Sequence, residues 1–181
     1  MPDSTMLQSK DLQERYERYK AKIKNFTIMN DIFMRNVLKK KKCTEYILQV
    51  IMEDKGITVI DQTLQKDYKN LQGRSAILDY VAKDTNNRQF NVEIQGDNEG
   101  ASPKRARYHC GLLDMNILNP GESFDALPDT YVIFITRNDI LGFHLPIYHI
   151  NKEVIETKEP FDDGQHIIYV NASRRDSTEL G

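Results

Sequence analysis

Asp79 and Glu93 stand on two neighbouring stretches with strand-like patterning, Ser75–Ala82 and Phe90–Gln95, separated by the turn formers Asp84-Thr85-Asn86-Asn87. Two strands joined by so short a connection form an antiparallel hairpin. Side chains alternate along a strand with a period of two, so Glu93 and Gln95 share a face. The hairpin can therefore gather one carboxylate from each strand and an amide. Carboxylate oxygens are hard donors of the kind hard divalent cations prefer. The same alternation, Phe90, Val92 and Ile94 against Asn91, Glu93 and Gln95, also describes an ordinary solvated face of an antiparallel sheet.

The flanking elements argue for a covered sheet. Asp31 can cap a short helix through Leu38, and Thr44 can cap a second, over about 43–54, whose Tyr46, Ile47, Val50 and Ile51 form an apolar face. Gly56 stops it, and Ile57, Val59 and Ile60 open a β-branched stretch reaching about Tyr68. A turn at Asn70–Gly73 leads into the hairpin. Beyond it, Ser102-Pro103 is a favoured helix start, followed by Ala106, Cys110, Leu113 and Ile117 at helical spacing toward Leu118. Pro120-Gly121 ends that helix, Tyr131–Thr136 reads as a buried strand, and Ile147–Ile150 and His166–Val170 as later strands. The order is helix, three strands, helix, strand, then extra strands: an α/β plan without internal repeat.

Composition narrows the function. The chain has 181 residues, 39% of them hydrophobic, enough for one sizeable core, and its formal net charge of -2 carries no strong field toward nucleic acid or membrane. Any DNA contact must come from a local basic patch. Cys43 and Cys110 are far apart and form no ligand motif, which suits two reduced thiols in a cytoplasmic protein. No apolar run has signal-peptide or membrane-span length, so a soluble, cytoplasmic protein without membrane contact is expected. His109, His144, His149 and His166 are too dispersed for a zinc site, and the phosphate-loop, dinucleotide, serine-hydrolase and zinc-protease signatures are absent.

Three segments together carry a resemblance: Gly73-Arg74-Ser75-Ala76-Ile77-Leu78-Asp79, then Val92-Glu93-Ile94-Gln95, then Arg105-Ala106-Arg107-Tyr108-His109 on the next helix. With Asn30-Asp31-Ile32-Phe33 before them and Gly164–Asn171 after, the stretch 26–171 resembles the PD-(D/E)XK nuclease family transposases, also called recombination-promoting nucleases. The resemblance implies a restriction-endonuclease-like core: a mixed central β-sheet flanked by α-helices, in the order helix, three strands, helix, strand. It also implies hydrolysis of DNA phosphodiesters with Mg2+, or Mn2+ as a substitute. Asp79 matches the first acidic position and Glu93 the second, and these two with the Ile94 carbonyl could ligate the ion. Glu45 matches the place where some relatives add a carboxylate, although an exposed helix glutamate fits equally well.

Gln95 stands where the general motif has lysine, though glutamine is usual in this branch. An amide can orient a water or a phosphate oxygen but brings no positive charge. That charge could come from Lys104, Arg105 or Arg107 at the start of the helix that follows, with Arg105 first and Arg74 behind it. A solvated helix face explains the same cluster, and a solvated turn explains Lys39-Lys40-Lys41-Lys42 as well as phosphate contact does. Tyr108 and His109 fit the family's aromatic pair on this helix, the tyrosine either bonding a phosphate or packing beneath the site.

The expectation is thus an Mg2+-dependent endodeoxyribonuclease acting on DNA, with Asp79, Glu93, Gln95 and Arg105 catalytic, promoting recombination through DNA breaks. Paired cuts in duplex DNA would suggest a homodimer. The alternative is a nuclease-derived DNA-binding or interaction module that no longer cleaves. Residues 1–25 read as a helical arm or a frayed lead-in, 26–171 as the nuclease-like domain and 172–181 as a tail. Ser173–Gly181 resembles a helix just beginning, as in a shortened copy of a longer mobile-element protein.

Overall fold

The protein is described by a computed structural model covering residues 31–69, 75–96 and 98–173. The expected arm, the turn at 70–73, Arg74 and nearly all of the tail lie outside the described residues. Helices α1 (Asp31–Leu38) and α2 (Lys41–Ile51) precede strands β1 (Val59–Lys69), β2 (Ser75–Asp84) and β3 (Gln89–Gln95). Helix α3 (Pro103–Met115) leads to β4 (Thr130–Thr136), β5 (Ile147–Ile150) and β6 (Gln165–Asn171).

The six strands form one mixed sheet in the order β1-β2-β3-β4-β6-β5. β1, β2 and β3 are an antiparallel meander. β3 then pairs parallel with β4 across the α3 connection, β4 pairs parallel with β6, and β5 closes the far edge antiparallel to β6. All seven residues of β4 are buried, as a central strand covered on both faces requires.

A hydrophobic cluster lies on each face of the sheet. Met34, Leu38, Leu48 and Ile51 of α1 and α2 pack with Tyr80, Phe90, Val92, Ile133 and Ile168. On the other face, Ala106, Cys110, Leu112 and Leu113 of α3 pack with Val81, Val132, Phe134 and Tyr169. Fully burying such side chains contributes roughly 1.5–3 kcal/mol each. Sheet position thus decides which face a residue of the hairpin meets: Phe90 and Val92 meet α1 and α2, and Asn91, Glu93 and Gln95 turn toward α3.

The β2–β3 turn is pinned by charge. Asp84, fully buried, accepts from Asn86 N at 3.0 Å and Arg88 N at 2.8 Å, and its other oxygen takes Arg88 Nε at 2.7 Å. Arg88 Nη2 reaches Asp54 after α2 at 2.9 Å, so one guanidinium fastens the hairpin to the loop that leads into β1.

Two local expectations are corrected. α2 begins at Lys41, with Lys40 rather than Thr44 as its N-cap, because lysine is a good helix former and carries the helix back through the basic run. Thr44 is buried inside the helix and its hydroxyl donates to Leu38 O at 3.3 Å. The buried face is then Thr44, Leu48 and Ile51, and Tyr46 is 57% exposed.

Candidate active site

β2 and β3 separate at the two carboxylates. Their backbone pairing runs from Lys83 and Gln89 to Tyr80 and Val92, and one step further the register sets Asp79 opposite Glu93. There side chains replace the ladder. Asp79 N donates to Glu93 Oε1 at 3.1 Å, and Ile94 N donates to Asp79 Oδ2 at 3.1 Å. Each carboxylate takes the acceptor role of a main-chain carbonyl, so the strands part while both acids stay tied to the sheet.

The alternation of β2 breaks at the same place. Leu78 packs in the α3-side cluster and Tyr80 in the opposite one, although residues two apart in a flat strand share a face. In β1, Leu64 pairs with Tyr80 and Lys66 with Leu78, and Gln65 between them has φ 51°. The backbone of the meander is therefore turned on both sides of the Asp79 position.

Glu93 is completely buried. Burial, then the charge of Asp79, pushes its carboxyl up to about 7, against the pull of the Asp79 N–H, the Asn91 amide and Arg105. Its Oε2 has no hydrogen-bond partner among the described residues. Arg105 Nη2 is 3.8 Å away, within ion-pair reach but too long for a hydrogen bond, and the Arg105 side chain is 40% exposed. Oε2 is thus a buried oxygen in the field of a guanidinium yet without a hydrogen-bond donor.

α3 supplies the surroundings. Ser102 caps it, its Oγ accepting from Arg105 N at 3.3 Å, which fixes Arg105 in the first turn. Four residues on, His109 lies on the same helix face. It is buried, with Nδ1 3.5 Å from Glu93 Oε1 and 3.2 Å from Asn91 Nδ2, and Nε2 accepting from Arg105 Nε at 3.3 Å. Burial and then the Arg105 charge depress its pKa to about 4, so the ring is neutral at physiological pH. Gln95 is partly exposed, and its side chain lies across Gly100, where a Cβ would stand 2.0 Å from Gln95 Oε1.

The residues singled out in the sequence are distributed unevenly. Asp79, Glu93, Arg105 and, at the rim, Gln95 come together. Lys104 and Arg107 are exposed on α3, and Tyr108 is half-buried against the α3-side cluster. Lys39 to Lys42 are all exposed. Glu45 is not brought to the pair: its Oε2 accepts from Val59 N at 2.8 Å, and Val59 pairs with Asp84 at the hairpin end of β2. Asp84 is five positions beyond Asp79, roughly 16 Å along a strand. His109, Asn91 and Gly100 join the site without having been assigned a role there. Asn91 carried the signal of sharing Glu93's face, and His109 that of following Arg105 by one helical turn; Gly100 carried none.

Among the described residues no three His, Cys, Asp or Glu side chains form a metal-ligating group. What the site offers a divalent cation is two carboxylates and main chain. Ile94 N points at Asp79, and a strand residue's N–H and C=O face the same edge, so the Ile94 carbonyl also faces the gap between the strands. Two carboxylates and a carbonyl, with Glu93 Oε2 unoccupied by any donor, suit a hard ion such as Mg2+ that keeps several waters.

A mixed sheet with helices on its faces and an acidic pair where two of its strands part defines a restriction-endonuclease-like fold. The chain belongs to the PD-(D/E)XK nuclease family transposases, whose family model matches residues 32–179. No curated protein and no solved structure matches it. Membership supports a nuclease- or transposase-related function. No helix among the described residues is long and apolar enough to cross a membrane.

Proposed function

We propose that this chain is a metal-dependent DNA endonuclease that hydrolyses phosphodiester bonds, with recombination following from the breaks it makes. The observation that carries the reading is Glu93 Oε2, buried without a hydrogen-bond partner directly across the strand gap from Asp79. Asp79, Glu93 and the Ile94 carbonyl would hold the ion, Mg2+ or in its place Mn2+. When bound, such an ion supplies Lewis acidity to a phosphoryl oxygen and lowers the pKa of its water.

The remaining work falls to side chains. The Gln95 amide, offering one acceptor and two N–H donors at the rim, orients the attacking water or a phosphate oxygen. Arg105 provides the positive charge that Gln95 lacks and stabilises charge growing on the phosphate. Lys104, Arg107 and Tyr108 on α3, with Arg74, contact the DNA backbone without reading its bases.

Plasmid nicking by wild type, Asp79→Ala and Glu93→Ala in Mg2+, Mn2+ or EDTA tests the proposal. Nicking that needs metal and disappears in both variants is expected. DNA binding by wild type without cleavage in any metal would replace this reading with that of a non-cleaving binding module.

A further inference from the structure

We propose that His109 is a positioning residue for Glu93, held as the neutral tautomer that carries its proton on Nδ1 and turns that N–H toward the Glu93 carboxylate. The inference begins at the other ring nitrogen. Arg105 Nε donates to His109 Nε2 at 3.3 Å, and a guanidinium has only donors and keeps its proton in proteins. Nε2 must therefore be the bare nitrogen, which leaves Nδ1 as the protonated one.

Two groups face Nδ1: Asn91 Nδ2 at 3.2 Å and Glu93 Oε1 at 3.5 Å. With Nδ1 protonated, Asn91 meets it through its amide oxygen, a half-turn of the amide bringing to the ring an acceptor that is otherwise buried without a partner among the described residues. The Nδ1–H then lies between that oxygen and, at 3.5 Å, the Glu93 carboxylate. Glu93 Oε1 thus receives the Asp79 N–H on one side and faces the imidazole N–H on the other, and Oε2 is left open.

Arg105 then acts on Glu93 twice, through space from Nη2 and through the tautomer it imposes on His109. The role toward a bound cation rests on the nuclease reading; the tautomer does not.

Two measurements on the full chain test this. In the 15N-histidine-labelled protein, long-range 1H–15N correlation reads the protonated nitrogen of each ring, with the His109 signals assigned by their loss in His109→Asn. The proton is expected on Nδ1; a proton on Nε2, or a doubly protonated ring at pH 7, overturns the proposal.

In the second, Mn2+ affinity is read by electron paramagnetic resonance, and nicking rates alongside it. An asparagine amide nitrogen takes the place of Nδ1 and a glutamine amide nitrogen that of Nε2. His109→Asn should keep Mn2+ affinity within a few-fold of wild type, whereas His109→Gln should lose roughly 10–100-fold. Equal affinities in the two variants overturn the positioning role. A wild type that neither binds Mn2+ nor nicks DNA overturns the nuclease reading instead, and the tautomer measurement still decides His109.

Discussion

Gln95 lies across Gly100 so closely that any β-carbon there would stand 2.0 Å from its Oε1 and 2.8 Å from its Cδ. The glycine after the strand thereby sets where the amide at the rim of the site rests. The obstructing atoms are the far end of a flexible side chain, so the fold can accept an alanine by moving Gln95 aside. Gly100→Ala should keep its thermal midpoint within a few degrees yet nick DNA about 100-fold more slowly, the scale on which a catalytic group misplaced by about 1 Å acts. Gln95→Ala should lose a similar factor, and the double variant no more than either; full additivity would separate the two residues.

The buried carboxylate makes the metal-free protein sensitive to pH. Folding raises the Glu93 carboxyl from 4.5 to about 7, so the native state binds its proton more tightly than the unfolded chain. The associated stability is complete below 4.5 and is lost as pH rises through about 7, a change on the order of 3 kcal/mol. In EDTA, Glu93→Gln should unfold at higher urea than wild type at pH 8 and lose that advantage at pH 4.5. A wild type whose urea midpoint is flat across this range would contradict the burial of a titrating Glu93. The same variant should not nick DNA, so stability and activity would move in opposite directions.

Arg105→Lys keeps a positive charge but loses the planar fork that touches His109 from Nε and faces Glu93 from Nη2. The expected result is nicking about 100-fold slower, comparable to losing one fixed donor at a reacting oxyanion. DNA affinity should change little, since a lysine still meets phosphate. If cleavage survives unchanged while DNA binding weakens, Arg105 serves the backbone of the DNA rather than the reaction.

Away from the acids, Arg88 neutralises Asp84, whose carboxylate is fully buried. Arg88→Met should destabilise the protein by about 3–5 kcal/mol in urea unfolding, because it strands a charge inside. Converting Asp84 as well, in Arg88→Met/Asp84→Asn, should recover part of the loss. A single variant as stable as wild type would show that the two backbone N–H groups suffice for Asp84.

Much of this was legible in the sequence, for physical reasons that can be named. Period-two alternation identified Phe90–Gln95 and put Glu93 and Gln95 on one face, and the turn formers after Asp84 fixed the hairpin. The β-branched and aromatic run at Tyr131–Thr136 announced a buried strand, and Ser102-Pro103 the start of α3. What local pattern could not give was which face each helix covers. Glu45 looked available to the acidic pair, but α2 packs against the face opposite α3, and Glu45 accepts from the Val59 N–H at the start of β1, beside the turn end of β2. His109 could be spaced one turn from Arg105, yet its place beneath Glu93 follows from the docking of α3 on the sheet, a tertiary fact.

The two acids are 14 residues apart within one hairpin, and the register that sets them opposite each other is counted from the turn at 85–88. That makes the site a matter of parity. Lengthening the turn by a single residue, without compensation in the strands, would carry Glu93 to the α1 and α2 side of the sheet and Ile94 to the α3 side. Both carboxylates would still be encoded, and no amino acid would have been exchanged. An odd change in this turn that is passed on into the β2–β3 register would therefore cost the site as surely as substitution of the acids themselves, whereas an even one would leave them on a common face.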